Sequence, residues 1–195
     1  MEDPFNSTWA PAPYGYHFGS WWVSHSSQPT YQPLYNLQIE YYPVLPQSAS
    51  FRNVDLTSYQ LANSSSVITG FGYDYYHYND TVSDWVYDFV GTGTLAAFNN
   101  TWELLAWGYD TDGEPYMVLY ETPVAFNSAP SDIDILSRVK GGPTADTRRA
   151  LLEGLKELEI AELTMLVAEM VELPVDDRRD GLGPALCDQA CMNNE

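Results

Sequence analysis

Basic residues are scarce in this chain: 8 Lys and Arg stand against 27 Asp and Glu, a net charge of −19 at pH 7. Such a field repels phosphate backbones and anionic bilayers, so nucleic acid is not an expected partner. Long hydrophobic runs are also missing, and no stretch reaches the roughly 18 apolar residues of a membrane-spanning helix. Cysteine is limited to Cys187 and Cys191. Their C-x3-C spacing supplies too few ligands for zinc and is not the C-x-x-C redox motif, so disulfide and free thiols both stay open. The three histidines, His17, His25 and His77, lie on separate segments without ligand spacing, and no metal site is expected from them. There is no G-x-S-x-G elbow, no H-E-x-x-H and no glycine-rich phosphate loop, so no cofactor is expected.

What is present is apolar and aromatic. Hydrophobic residues make up 45% of the 195, enough for one core, and the 15 Tyr, 6 Trp and 7 Phe fall mostly before Tyr120. Four N-x-S/T sequons begin at Asn6, Asn63, Asn79 and Asn99, more than chance would place. They favour a secreted or lumenal glycoprotein whose leader is replaced by Met1. The alternative is a cytoplasmic protein, since Met1-Glu2-Asp3-Pro4 has no basic or apolar leader character. The oligomeric state is not legible.

The chain divides near residue 140. Over residues 1–140, short apolar runs alternate with turn residues about every ten positions, the pattern of an antiparallel barrel. Strands are expected over Gly19–Ser24, Leu34–Val44, Phe51–Leu61, Val67–Tyr78, Trp85–Val90, Thr94–Phe98, Thr101–Tyr109 and Tyr116–Val124. A turn over residues 110–115 joins the last two. Eight strands with short connections predict an all-β, up-and-down barrel. Over residues 141–175, apolar positions at helical spacing from Thr144, a candidate N-cap, to Leu173 predict one long helix packed outside it. Residues 176–195 read as a loose polar tail.

Gly19-Ser20-Trp21 opens the first strand, and Thr111-Asp112-Gly113-Glu114-Pro115-Tyr116 leads into an apolar run ending at Tyr120. Arg138 stands alone just ahead of the helix. These three stretches, in this order, resemble the G-x-W, T-D-Y-x-x-Y and lone-Arg motifs of the lipocalins (calycins), over about residues 15–173. Gly113 replaces the first Tyr of the second motif, and no Cys joins the tail to a strand. The resemblance implies that Gly19, Trp21 and Arg138 are structural, with Trp21 plugging the closed end and Arg138 stacking across it by cation–π contact.

Strand alternation then proposes a lining. If Trp21 points inward, so do Val23 and His25. Trp85, Tyr87 and Phe89 share a face opposite Asp84 and Asp88, and aromatics inside with Asp outside is the cheaper arrangement. In Val67–Tyr78 both faces carry aromatics, and the face with Tyr73 and Tyr75 is not decided against the one with Asp74 and Tyr76. Tyr116, Val118 and Tyr120 align, and Leu104 completes the candidate set. Such a lining suits a hydrophobic polycyclic or polyene molecule, although the same aromatics could simply fill the barrel. The resemblance extends to fungal biosynthetic lipocalin-like cyclases and Diels–Alderases, which implies a cofactor-free cyclisation with His25 or Tyr87 as the catalytic donor. A carrier without catalysis is the alternative, and an interaction protein using the helix and acidic tail is a third, less economical reading.

Overall fold

A computed structural model describes residues 10–44, 52–77 and 85–185. Eight antiparallel strands form the barrel: β1 (Gly19–Ser26), β2 (Tyr35–Pro43), β3 (Arg52–Gln60), β4 (Ile68–Tyr76), β5 (Val86–Gly91), β6 (Asn99–Tyr109), β7 (Pro115–Glu121) and β8 (Asp132–Ser137). Each pairs with its sequence neighbour, and β1 pairs with both β2 and β8, so the sheet closes and leaves no open edge among the eight. The up-and-down barrel expected from the sequence is therefore present. A two-residue β9 (Val171–Glu172) adds to β1 from outside, at the bulge where β1 shifts register between Val23 and His25.

Two assignments differ. Thr94–Phe98 is not a strand; its glycine-led segment makes a short 3-10 turn over Gly93–Leu95 and a loop. The eighth strand is instead Asp132–Ser137, whose Asp-Ile-Asp-Ile alternation has the polar and apolar faces in the unexpected sense. Ile133 and Ile135 face outward beneath the helices, while Asp132 and Asp134 point into the barrel with Leu136. The single long helix is two, α1 (Ala145–Glu157) after the expected N-cap Thr144 and α2 (Ala161–Glu169). The chain breaks at Glu159, which takes a left-handed φ of 56°. That bend lets Leu151 and Leu155 of α1 and Leu163, Leu166 and Val167 of α2 pack together over Val118, Ile133 and Ile135. At roughly 25 cal/mol per Å² of apolar area, this outer layer is a second core in its own right.

The stretch expected to be a loose tail is docked over residues 176–185. Asp176 and Asn36 exchange hydrogen bonds, and Arg179, 3% exposed, donates to Asn36 O and to Ser58 O and Oγ. Arg179 also lies 3.6 Å from the carboxylate of Glu40, which points outward from β2 and is fully buried under this segment. Cys187 and Cys191 lie outside the described residues.

Candidate functional site

One end of the barrel is closed by the N-terminal segment. Trp21 is fully buried, donates Nε1–H to His17 O at 2.6 Å, and carries the Arg138 guanidinium 3.7 Å above its ring. Arg138 also donates to Ser20 O at 2.7 Å and to the carbonyls of Tyr16 and Phe18, tying the crossing segment to β1. The glycine of the first motif has a steric cause. Gly19 holds φ at +100°, and a Cβ there would lie 2.8 Å from Arg138 Nη1. The contact between Trp21 and Arg138 is as the motifs imply.

Above this plug the barrel is filled for part of its height. His17 sits edge-on to Tyr41 and Trp85, and Tyr87 stacks on Trp102 with ring centroids 4.5 Å apart. Burial holds the His17 imidazole neutral, with its pKa lowered to about 3, helped by the charge on Arg138. Val23, Trp85, Tyr87 and Leu104 face inward as expected, yet they belong to this filled part.

The remaining height is a cavity of about 370 Å³. Three loops surround it: Thr30, Tyr31 and Leu34 after β1, Leu95 and Phe98 after β5, and Val124 and Asn127 after β7. Its walls are Ile39, Thr57, Tyr59 and Phe89, and Trp102 separates it from the filled part. The acidic members are Asp55 and Glu121, and Asn100 stands with them, while Thr30, Thr57 and Asn127 are also polar. Phe89 is the one expected ligand contact that lines this space.

The remaining expected contacts, His25, Tyr73, Tyr75, Tyr116 and Tyr120, lie outside the barrel wall. The β1 bulge turns His25 outward, where it meets Ser24 Oγ at 3.1 Å beside Gly142 and pairs in register with Glu172 of β9. Burial, with the charge on Arg148, lowers its pKa to about 4. His25 is therefore not at the cavity mouth and cannot act on a ligand there. Tyr73 and Tyr75 pack outside with Val54 and Leu56, Tyr73 under the guanidinium of Arg52. The undecided face of β4 is settled by Asp74, which is fully buried and accepts from Trp102 Nε1 at 2.9 Å inside the barrel. Tyr116 and Tyr120 face the helix layer, where Tyr120 Oη donates to Glu162. In β7 the inward set is Met117, Leu119 and Glu121, one residue out of phase with the expectation. The three histidines stay apart: His17 in the filled core, His25 outside β1, and His77 against Asp88 at 2.8 Å.

What the sequence did not reveal is an acidic interior. Asp55, Asp74, Glu121, Asp132 and Asp134 all point inward, and burial raises the pKa of each, to about 8 for Asp74 and about 10 for Asp132. Asp74 keeps one oxygen on Trp102, while Asp55 Oδ1 and Asp74 Oδ2 have no protein hydrogen-bond partner. A cavity with carboxyl groups kept largely protonated can donate hydrogen bonds to a ligand carbonyl, as neutral acids do in apolar sites. The available signal was the strict Asp alternation in Asp132-Ile133-Asp134-Ile135, which fits either facing.

No family model matches the chain. A curated relative, botcinic acid biosynthesis cluster B protein 12 of Botryotinia fuckeliana (strain B05.10), is 30% identical, over 97% of this chain and 86% of the relative. Among solved structures, lobster apocrustacyanin A1 superposes with a TM-score of 0.55 at 14% identity, over 83% of this chain and 78% of that one. The cockroach allergen Per a 4 gives 0.56 at 10% identity, covering 88% and 94%. Insecticyanin from the tobacco hornworm Manduca sexta gives 0.54 at 12%, covering 85% and 82%. At such identities these structures speak for the fold. The chain belongs to the same family as the fungal botcinic acid cluster protein, and its architecture, with Gly19, Trp21 and Arg138 at the closed end, is the lipocalin fold of these solved structures.

Proposed function

We propose that this protein binds a small hydrophobic molecule, polycyclic or polyene, in the barrel cavity as part of a biosynthetic pathway. The observation that carries the reading is the cavity itself. Its volume of about 370 Å³ lies within the roughly 300–1,000 Å³ of small-molecule sites. Its walls are mainly apolar, and Asp55, Asn100 and Glu121 would fix the orientation of a ligand bearing an oxygen function. The fungal relative, named for a biosynthesis cluster, supports the pathway context. A fluorescent apolar probe such as N-phenyl-1-naphthylamine should bind at micromolar concentration, and Phe89→Trp, which fills the cavity, should weaken it at least tenfold. An unaltered affinity in that variant, or no binding by the wild type, would remove the reading.

A second reading is cyclisation or cycloaddition of the bound polyene without a cofactor. It is favoured by Asp55, a buried carboxyl on the cavity wall with one unengaged oxygen, beside the Tyr31 and Tyr59 rings. A hydrogen bond from Asp55 would polarise a ligand carbonyl, and confinement would supply the reactive conformer, each worth several kcal/mol at best. In that case Asp55→Leu lowers turnover of a linear polyene while probe affinity changes less than tenfold. Probe binding without cyclisation above buffer leaves the carrier. Secretion and glycosylation belong to the proposal as well: Asn63, in a left-handed turn, and Asn99 are exposed sequons.

A further inference from the structure

Glu121 and Asp132 are direct cross-strand partners in the β7–β8 ladder, and Asp134 lies two residues on along the same inward face. One carboxylate oxygen from each lies within 4.8 Å of the others. Like charges placed opposite one another in a sheet repel, and burial makes the repulsion worse. Yet Asp132 is 2% exposed and Asp134 is not exposed at all. None of the eight Lys and Arg occupies an inward strand position: Arg52, the one on a barrel strand, lies over Tyr73 outside.

The neighbouring donors hold only part of the group. Asn100 Nδ2 donates to Glu121 Oε2 at 2.8 Å, and Gln28 Nε2 donates to Asp132 Oδ2 at 2.5 Å. Asp132 Oδ1, both oxygens of Asp134 and Gln28 Oε1 have no protein hydrogen-bond partner of sound geometry, with Ser26 lending Asp134 some help. Amides that pin one oxygen of a carboxylate and leave the other directed at its neighbours are the outer support of a metal site. The donor atoms are all oxygen, which selects a hard cation over zinc or copper. Donor atoms that all lie within 4.8 Å of one another can share one ion, and a buried cage of three protein carboxylates suits calcium, since magnesium keeps several waters and is held by one or two carboxylates.

We propose that Glu121, Asp132 and Asp134 form a calcium-binding site in the barrel wall, with the Gln28 amide oxygen as a further neutral ligand. Because Glu121 also lines the cavity, the remaining coordination positions face the ligand space. The site stands or falls independently of whether a hydrophobic molecule binds there.

The test uses the whole chain stripped with EDTA and dialysed. Calorimetric titration with CaCl2 should show one saturable site per chain and a raised melting temperature. Terbium should bind in its place and show emission sensitised through Tyr31 and Trp102. Asp134→Asn should remove the terbium signal and weaken calcium at least tenfold. In EDTA it should melt no lower than wild type, because the crowding of three buried acids is relieved. Should that variant misfold, Asp132→Asn provides the same comparison, while Asp88→Asn on the outer face should bind as wild type. No saturable uptake at millimolar calcium would overturn the site. So would magnesium binding as tightly as calcium, or full affinity in both folded Asn variants.

Discussion

Removing the plug is the most direct trial of the closed end. In Trp21→Ala, a side chain with no exposure is lost from a position bounded by Arg138 above and Met117 and Leu136 within the same core. Large aromatic truncations in cores cost about 3–5 kcal/mol. Two further losses push this one to the top of that range. The Arg138 guanidinium loses a ring 3.7 Å away, a contact worth up to about 2 kcal/mol when desolvated. His17 O loses its 2.6 Å donor, and an unpaired buried acceptor costs about 1–3 kcal/mol. These overlap, so about 5 kcal/mol is expected, against a total of roughly 5–15 for a domain. Trp21→Phe keeps a ring under Arg138 and loses the N–H, and should cost about 2 kcal/mol. Urea unfolding followed by circular dichroism reads both. With an m-value of about 2 kcal/mol/M, the Ala variant should lose about 2.5 M from its midpoint. A loss under about 2 kcal/mol with m unchanged would refute the plug, as would a Phe variant as unstable as the Ala one.

Arg179→Met should cost about 3–5 kcal/mol at pH 8, by leaving Glu40 buried and charged. Burial has already raised Glu40 to about 7, above its unfolded value, so its contribution is full at low pH and lost as pH rises through 7. The cost should therefore shrink at pH 5, and an equal cost at both would refute the pairing. Asp74, raised to about 8 by burial, behaves alike: from about pH 4 to 8 its ionisation withdraws up to ~1.4 kcal/mol per unit. The melting-temperature gap by which Asp74→Asn exceeds the wild type in EDTA should widen from pH 5 to pH 8. Tyr120→Phe, on the helix-covered face, should leave probe affinity unchanged and cost under about 1 kcal/mol for its bond to Glu162; weaker probe binding would return Tyr120 to the cavity.

The barrel was legible because its turns and motifs are local. Gly19, Trp21 and Arg138 carry their roles in residue type, since only glycine tolerates the backbone beside that guanidinium. The facing of Trp85, Tyr87 and Phe89 followed from cost, aromatics inside and Asp88 outside. At β7 the alignment of Tyr116 with Tyr120 misled, and at β8, where no strand was expected, the cost rule would have pointed Asp132 and Asp134 the wrong way. Once two helices cover the outer face, Ile133 and Ile135 are buried there, and the sheet no longer tells inside from outside by polarity. His25 was lost to a single bulge, which no alternation pattern announces. The cavity depends on which aromatics reach its space, and Trp85 and Tyr87 are consumed by stacking on His17 and Trp102.

The docked segment around Arg179 bears on the order of folding. Its partners Asn36, Glu40 and Ser58 are made early in synthesis, and the cation that meets them is added about 120–140 residues later. Contacts so remote in sequence form late and carry a high loop-closure cost. While the nascent barrel closes, Glu40 stays hydrated or takes up a proton, and the β2–β3 outer face is exposed. Arrival of residues 176–185 then seals it, so a chain cut short before residue 176 should fold its strands and remain open to proteases along that one face.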